Sequence, residues 1–188
     1  MIGVLAIQGD FAAHGRMLDK LSARWCEIKN PHQLEYIKGL ILPGGESTTM
    51  LKFLTDEGFI NPLKEFAERG CAIFGTCAGA ILLAREVSNP AQESLSLIDI
   101  SIERNGYGRQ LNSFIDFVDS ESVGLSRLEA VFIRAPVINR VGDDVEILAS
   151  YSSHPILIRQ GKLLAATFHP ELTNDLRVHQ NFLSLVES

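Results

Sequence analysis

The chain has 188 residues, 46% of them hydrophobic, enough for one domain with a full core. A formal net charge of −6 without any long basic run argues against a nucleic-acid surface, and no apolar stretch reaches the about eighteen residues of a membrane span. Cys26, Cys71 and Cys77 form no Cys-x-x-Cys pair, so neither a disulfide framework nor a structural zinc site is expected.

The opening "MIGVLAIQGD" lacks the basic start of a signal peptide, and its apolar run Ile2–Ile7 has the length of a strand buried on both faces. These readings together suggest a soluble cytoplasmic protein. Phe11–Leu21 has helical spacing, "RWCEI" is a short strand, and "GLILP" is a third strand ended by Pro43. Thr48–Leu54 and Asn61–Glu68 read as helices, the second with Asn61 as N-cap and Pro62 at the first helical position. "CAIF" is a fourth strand and Ala78–Arg85 a fourth helix. Strand–helix alternation of this kind implies a parallel sheet with helices on both faces.

The second half changes character. "SLIDISI", "SFIDFV", "AVFIRA" and "VEILASY" are strand-like, "PILIRQGKLLAATFH" reads as a hairpin turning at Gln160-Gly161, and Asp175–Val186 is a closing helix. The expected fold is a three-layer α/β single domain over residues 1–188. Its central sheet is mixed but mostly parallel, with a smaller antiparallel group inserted after the fourth helix.

Three stretches carry possible chemistry. "FGTCAGA" follows a buried strand and opens a helix, the setting of a nucleophile elbow: Gly75 permits the tight turn, Gly79 the close helix–strand approach, and the helix start favours a thiolate at Cys77. Spacing alone leaves a second reading, a small packing cysteine at a crowded crossing, as Cys71 is read. In "TFHPEL", Pro170 holds His169 away from helical geometry, and alternation in an extended chain puts His169 and Glu171 on one side, where the carboxylate can orient the imidazole. A solvated surface turn fits the same residues. In "LILPGGEST", Gly44 and Gly45 offer backbone N–H groups to a substrate oxygen or form an ordinary turn; no Gly-Lys-Ser/Thr follows, so it is not a nucleotide loop.

Taken together, "LAIQGDFAAH", "GLILPGGESTTM", "FGTCAGAILLA", "RNGYGRQLNSF", "FIRAP" and "TFHPEL" resemble the class I (triad) glutamine amidotransferases and, within them, the glutaminase subunits of pyridoxal 5′-phosphate synthase complexes. The resemblance runs from Val4 to Leu172. It implies a class I glutamine amidotransferase-like fold, with Cys77 as nucleophile and His169 and Glu171 as the other triad members. It further implies glutamine binding by Gly45, Glu46, Ser47, Arg104, Ile133 and Arg134. Backbone N–H groups of Gly45 and Ala78 would form the oxyanion hole. No metal or organic cofactor is required. The activity implied is hydrolysis of L-glutamine to glutamate and ammonia through a glutamyl thioester. The ammonia would pass to a separate synthase (lyase) subunit in a hetero-oligomer, since the chain shows no second set of catalytic motifs; neither nucleic acid nor membrane is an expected partner. "DSESVGLSRLEAV", before "FIRAP", is more irregular than the family pattern. Two other readings stay open on residues alone: a γ-glutamyl peptidase on the same fold, and a regulatory module without chemistry.

Overall fold

The computed structural model describes residues 1–106, 113–120 and 125–188. Within these residues the first half runs β1 (Ile2–Leu5), α1 (Phe11–Lys20), β2 (Trp25–Ile28), β3 (Gly39–Leu42), α2 (Ser47–Asp56), α3 (Ile60–Glu68), β4 (Ala72–Thr76) and α4 (Ala78–Leu83). The second half runs β5 (Ala84–Ser88), β6 (Ile98–Glu103), β7 (Ser113–Ser120), β8 (Leu125–Ile133), β9 (Val137–Val141), β10 (Glu146–Tyr151), β11 (His154–Gln160), β12 (Leu163–Ala166) and α5 (Arg177–Glu187). Two 3₁₀ turns, Pro31–Tyr36 and Pro170–Leu172, complete the order.

The main sheet has the strand order β10-β11-β12-β4-β3-β1-β2. Strands β12, β4, β3, β1 and β2 are parallel to one another, while β10 and β11 attach as an antiparallel edge. Successive side chains of a strand point to opposite faces, and both faces here are apolar. Leu5, Leu40, Leu42, Ile73 and Ala165 pack on one side with Met50 and Leu54 of α2 and Leu63 and Phe66 of α3. Val4, Ile41, Phe74, Leu164 and Ala166 pack on the other with Leu18 of α1 and Val178 and Phe182 of α5. Burial on both faces is why these strands read as continuous apolar runs. The three-layer, mostly parallel α/β architecture is the expected one.

Several local expectations need correction. The fourth helix stops at Leu83 rather than Arg85; Ala84 turns extended (φ −63°, ψ 148°) and starts β5, which pairs in parallel with β6. The inserted group is therefore not simply antiparallel. It consists of a mixed sheet β5-β6-β9 and a separate antiparallel ribbon β7-β8. Asn61 is not an N-cap: α3 starts at Ile60, because Leu63 N–H already donates to Phe59 C=O at 2.9 Å. Pro62 falls in the first turn, where a missing N–H costs nothing. The hairpin turn is Gly161-Lys162, with Gly161 at φ 57°, a value that favours glycine. Most of "RNGYGRQLNSF" and the Glu121–Gly124 part of the irregular stretch lie outside the described residues.

Candidate active site

Cys77 sits between β4 and α4 with φ 48° and ψ −102°. A non-glycine residue at positive φ is strained and needs surrounding structure to hold it. Three contacts supply that hold: Cys77 N–H donates to Ala166 C=O on β12 at 2.8 Å, Cys77 C=O accepts from Ile81 N–H at 3.2 Å, and its thiol faces Ile133 C=O at 3.9 Å. Gly79 plays the close-approach part expected of it, since a Cβ there would lie 2.0 Å from Leu42 O. Gly75 does not make the turn. It lies within β4, where a Cβ would come within 2.6 Å of the Gly79 backbone, and Cys77 itself takes the strained conformation.

His169 and Glu171 do meet, but not by strand alternation. β12 ends at Ala166, and Glu171 belongs to the 3₁₀ turn Pro170–Leu172, closed by Thr173 Oγ1–H donating to Pro170 C=O at 3.0 Å. The turn brings Glu171 Oε1 to 2.7 Å from His169 Nδ1. His169 N–H donates to Val131 C=O at 2.8 Å, which ties this segment to β8. Gly44 is required here: a Cβ at that position would lie 2.4 Å from His169 Cε1 and 3.5 Å from Cys77 Cβ.

The electrostatics follow from this packing. Burial pulls the His169 imidazole down, but hydrogen bonds to Cys77 and Glu171 and the charges of both outweigh it, pushing it up to about 10. Burial alone would raise Glu171; its neighbours His14 and His169 instead hold it below the usual carboxylate range. His169 thus has a cysteine and a carboxylate as its two hydrogen-bonding neighbours, Cys77 and Glu171.

A pocket of about 70 Å³ opens over Cys77, lined by Gly45, Glu46, Ser47, Arg104, Ile133 and Arg134, with Ile81 and Asn105 beside them. All six positions expected to contact glutamine therefore converge on the cysteine, together with two that the motifs did not single out. Glu46 caps α2: its Oε2 accepts from the Thr48 hydroxyl, from Thr49 N–H at 2.9 Å and from the Thr49 hydroxyl at 3.1 Å, while Oε1 accepts from Arg104 Nη2 at 3.0 Å. The Thr48 hydroxyl, opposed by partial burial and aided by Thr49, holds the carboxyl down at about 2. Ser47 Oγ–H donates to Gln92 Oε1 at 2.9 Å. Arg134 follows β8 with φ 44°, a second strained residue on the rim. Ala78 begins α4 next to the nucleophile. A larger groove of about 650 Å³, between α2, α3 and the 92–96 loop, contains none of these residues. Among the described residues no His, Cys, Asp and Glu cluster could hold a metal ion, and no helix is long and apolar enough to cross a membrane.

Sequence reasoning missed the buried side of Glu171. His14, Thr76 and His179 lie behind it, all buried. His14 falls at the end of "LAIQGDFAAH" and Thr76 inside "FGTCAGA", but neither stretch marks these residues as neighbours of Glu171, and nothing marks His179.

Residues 4–188 match the model of the SNO glutamine amidotransferase family. The chain is 55% identical over 190 residues to a pyridoxal 5′-phosphate synthase subunit PdxT of Solibacter usitatus (strain Ellin6076), with 97% of each chain covered. It is 50% identical over 186 residues to a protein of the same name from Thermotoga petrophila, with 99% of each covered. A solved structure described as a glutamine amidotransferase superposes with a TM-score of 0.93 at 46% identity, covering 100% of this chain and 99% of that one.

Proposed function

This chain belongs to the SNO glutamine amidotransferase family, and on that premise we propose that Cys77, His169 and Glu171 are the triad with which it hydrolyses glutamine. The activity is that of a glutaminase subunit feeding pyridoxal 5′-phosphate synthesis. The observation that carries the residue assignment is that His169 contacts both Glu171, with Oε1 2.7 Å away, and Cys77, which lines the pocket. Residues 1–188 act as one glutaminase domain.

Glutamine enters with its side-chain amide over Cys77 and its α-carboxylate and ammonium among Arg104, Arg134 and Glu46. The Cys77 thiolate attacks the amide carbon, and the carbonyl oxygen becomes an oxyanion met by the N–H groups of Gly45 and Ala78. The His169 imidazolium donates its proton to the amide nitrogen, the C–N bond breaks, and ammonia leaves. The neutral imidazole then takes a proton from water as the water oxygen attacks the thioester. The C–S bond breaks, releasing glutamate and restoring the thiolate–imidazolium pair. Glu171 stays ionised throughout, orienting the ring and stabilising its cationic form.

Ammonia freed into neutral water becomes ammonium, which is not a nucleophile, so the product has to pass directly to an acceptor site. That site lies on a pyridoxal 5′-phosphate synthase subunit bound to this chain, and the glycine turn at Gly44-Gly45 couples its docking to the oxyanion position. The test is a glutaminase assay with and without the co-purified synthase subunit. A marked rise in kcat with the partner is expected; equal kcat with a demonstrably bound partner would refute the coupling. Release of glutamate from γ-glutamyl peptides in preference to glutamine would refute the substrate.

A further inference from the structure

On the side of Glu171 away from the pocket, three polar side chains come from three different elements. His14 lies in α1, Thr76 ends β4, and His179 lies in α5, all with no solvent exposure. His14 Nδ1 is 2.9 Å from His179 Nε2, and its Nε2 is 3.1 Å from Thr76 Oγ1 and 3.5 Å from Glu171 Oε2. Phe74 meets both rings edge-on, with centroids at 6.2 and 5.8 Å. Two imidazoles in so apolar a setting cost free energy that aliphatic side chains would not. Glu171 Oε2 supplies the reason for them. It is buried and has no hydrogen-bond partner among the described residues; His14 Nε2 faces it at 3.5 Å as an ion-pair contact.

The proton positions follow from the same contacts. Burial lowers both imidazoles, His179 to about 3, so each ring is neutral with one N–H. A proton on His14 Nδ1 would turn a bare Nε2 lone pair toward the carboxylate. It would also force the His179 proton onto Nδ1, which has no partner among the described residues. Protons on Nε2 of both rings avoid both faults: His179 donates to His14 Nδ1, and His14 donates toward Glu171 Oε2 and Thr76 Oγ1. On His179 only the Nδ1 lone pair is then left over, and orphaned buried acceptors are better tolerated than orphaned donors.

We propose that His14, oriented by His179, is a positioning residue whose Nε2–H holds the far oxygen of Glu171 and so keeps the near oxygen turned to His169. The inference rests on the triad reading. The ionisable groups facing His14 are Glu171 and His169 from the 169–171 segment, His179 from α5 and Asp10 at the start of its own helix. With its donor removed, Glu171 keeps its burial but loses a stabilising dipole, so it takes up a proton at higher pH. The acid limb of kcat then moves toward neutrality.

Gln at position 14 places an N–H near the site of Nε2; Asn places one near Nδ1, where it serves only His179. The test compares His14→Gln with His14→Asn in the full chain bound to the synthase subunit. His14→Asn is expected to lower kcat by about ten- to a hundredfold, the usual loss when a supporting partner is removed, with KM unchanged and the acid limb shifted. His14→Gln should recover most of the rate and the original limb. Equal losses in both variants, a loss carried by KM, or an unmoved limb would overturn the proposal. If Cys77→Ala kept its turnover, the triad reading itself would fall instead. A nitrogen-15 NMR spectrum of the wild-type imidazoles needs no variant to fold: Nε2–H is expected on both His14 and His179 at neutral pH, and an Nδ1–H on His14 would sink the idea.

Discussion

The two sides of Glu171 and His169 are built from different material. The pocket side is made of chain ends: the start of α2 at Glu46, the strained Cys77, the residue after β6 at Arg104, and Ile133 and Arg134 where β8 stops. It carries three charged side chains, Glu46 and Arg104 half-buried and Arg134 exposed. The buried side is made of interiors: His14 inside α1, His179 inside α5 and Thr76 in the sheet, with neutral rings against Phe74. Chain ends can exchange one partner for another when a ligand arrives. Helix and sheet interiors cannot without losing their packing. Apart from Cys77 itself, changes on the pocket side should therefore appear in KM, and changes on the buried side in kcat and stability.

The largest effect tests the line that joins the two sides. Cys77→Ala should lower kcat by about 10⁴-fold or more while the fold persists, because no covalent intermediate can form. Cys26→Ala and Cys71→Ala, both half-buried and away from the pocket, should keep most of the turnover. Retained turnover in Cys77→Ala would break the mechanism. His169→Asn should come close to the loss of the cysteine, since one imidazole serves both half-reactions. Glu171→Gln should cost less, because the amide still fills the place between His169 and His14 but no longer carries a charge. Residues acting as a unit are strongly non-additive, so the His169→Asn, Glu171→Gln pair should lose little more than His169→Asn alone. Full additivity in log kcat would show that the two do not cooperate.

How much of this was legible depends on whether the signal was local. β1, β3 and β4 announced themselves because burial on both faces leaves an unbroken apolar run, and Cys77, His169 and Glu171 each lie at the end of such a run. The reason first given for the His169–Glu171 contact did not hold: the turn at Pro170, not alternation along a strand, brings them together. The expected helix Ala78–Arg85 runs two residues into β5 because "AILLAR" contains no breaker; Ala84 instead pairs with Ile98, a tertiary fact. β9, "VINRV", was missed as short and half-exposed, its partner strand β6 lying far earlier in the chain. His14 and His179 are 165 residues apart, and no periodicity connects them. The pocket side could be read from motifs, whereas the buried side required coordinates.

A smaller effect tests the pocket side alone. Arg104→Ala removes the guanidinium that pairs with Glu46 at 3.0 Å and faces the pocket. Loss of one charge-assisted hydrogen bond to the glutamine α-carboxylate, about 1.5 kcal/mol, should raise KM about tenfold with kcat little changed. Arg134→Ala should shift KM in the same direction. Wild-type kinetics in both variants would remove these arginines from substrate recognition. A fall in kcat at constant KM would erase the contrast between the two sides.

The smallest expected effect concerns the pH dependence of stability. His169 is raised from its ordinary 6.5 to about 10 in the fold. A group that binds its proton more tightly when folded adds stability that is complete below the unfolded value and is lost as pH rises through the folded one. The margin in melting temperature of wild type over His169→Asn should thus be greatest below pH 6.5 and should narrow steadily toward pH 10. Each 1 kcal/mol of that margin corresponds to about 2–4 °C in a chain of this size, well within the reach of calorimetry, and titrations elsewhere on the surface cancel in the difference. The raised value has two sources, Cys77 on the pocket side and Glu171 on the buried side, both acting against burial. Repeating the measurement in Cys77→Ala removes the first source, and in Glu171→Gln the second. If the interior wall governs stability, the Glu171→Gln background should flatten the curve more than Cys77→Ala does. A margin that grows with pH would mean that burial wins and the imidazole is neutral at rest. The proton carried to the departing ammonia would then have to come from elsewhere.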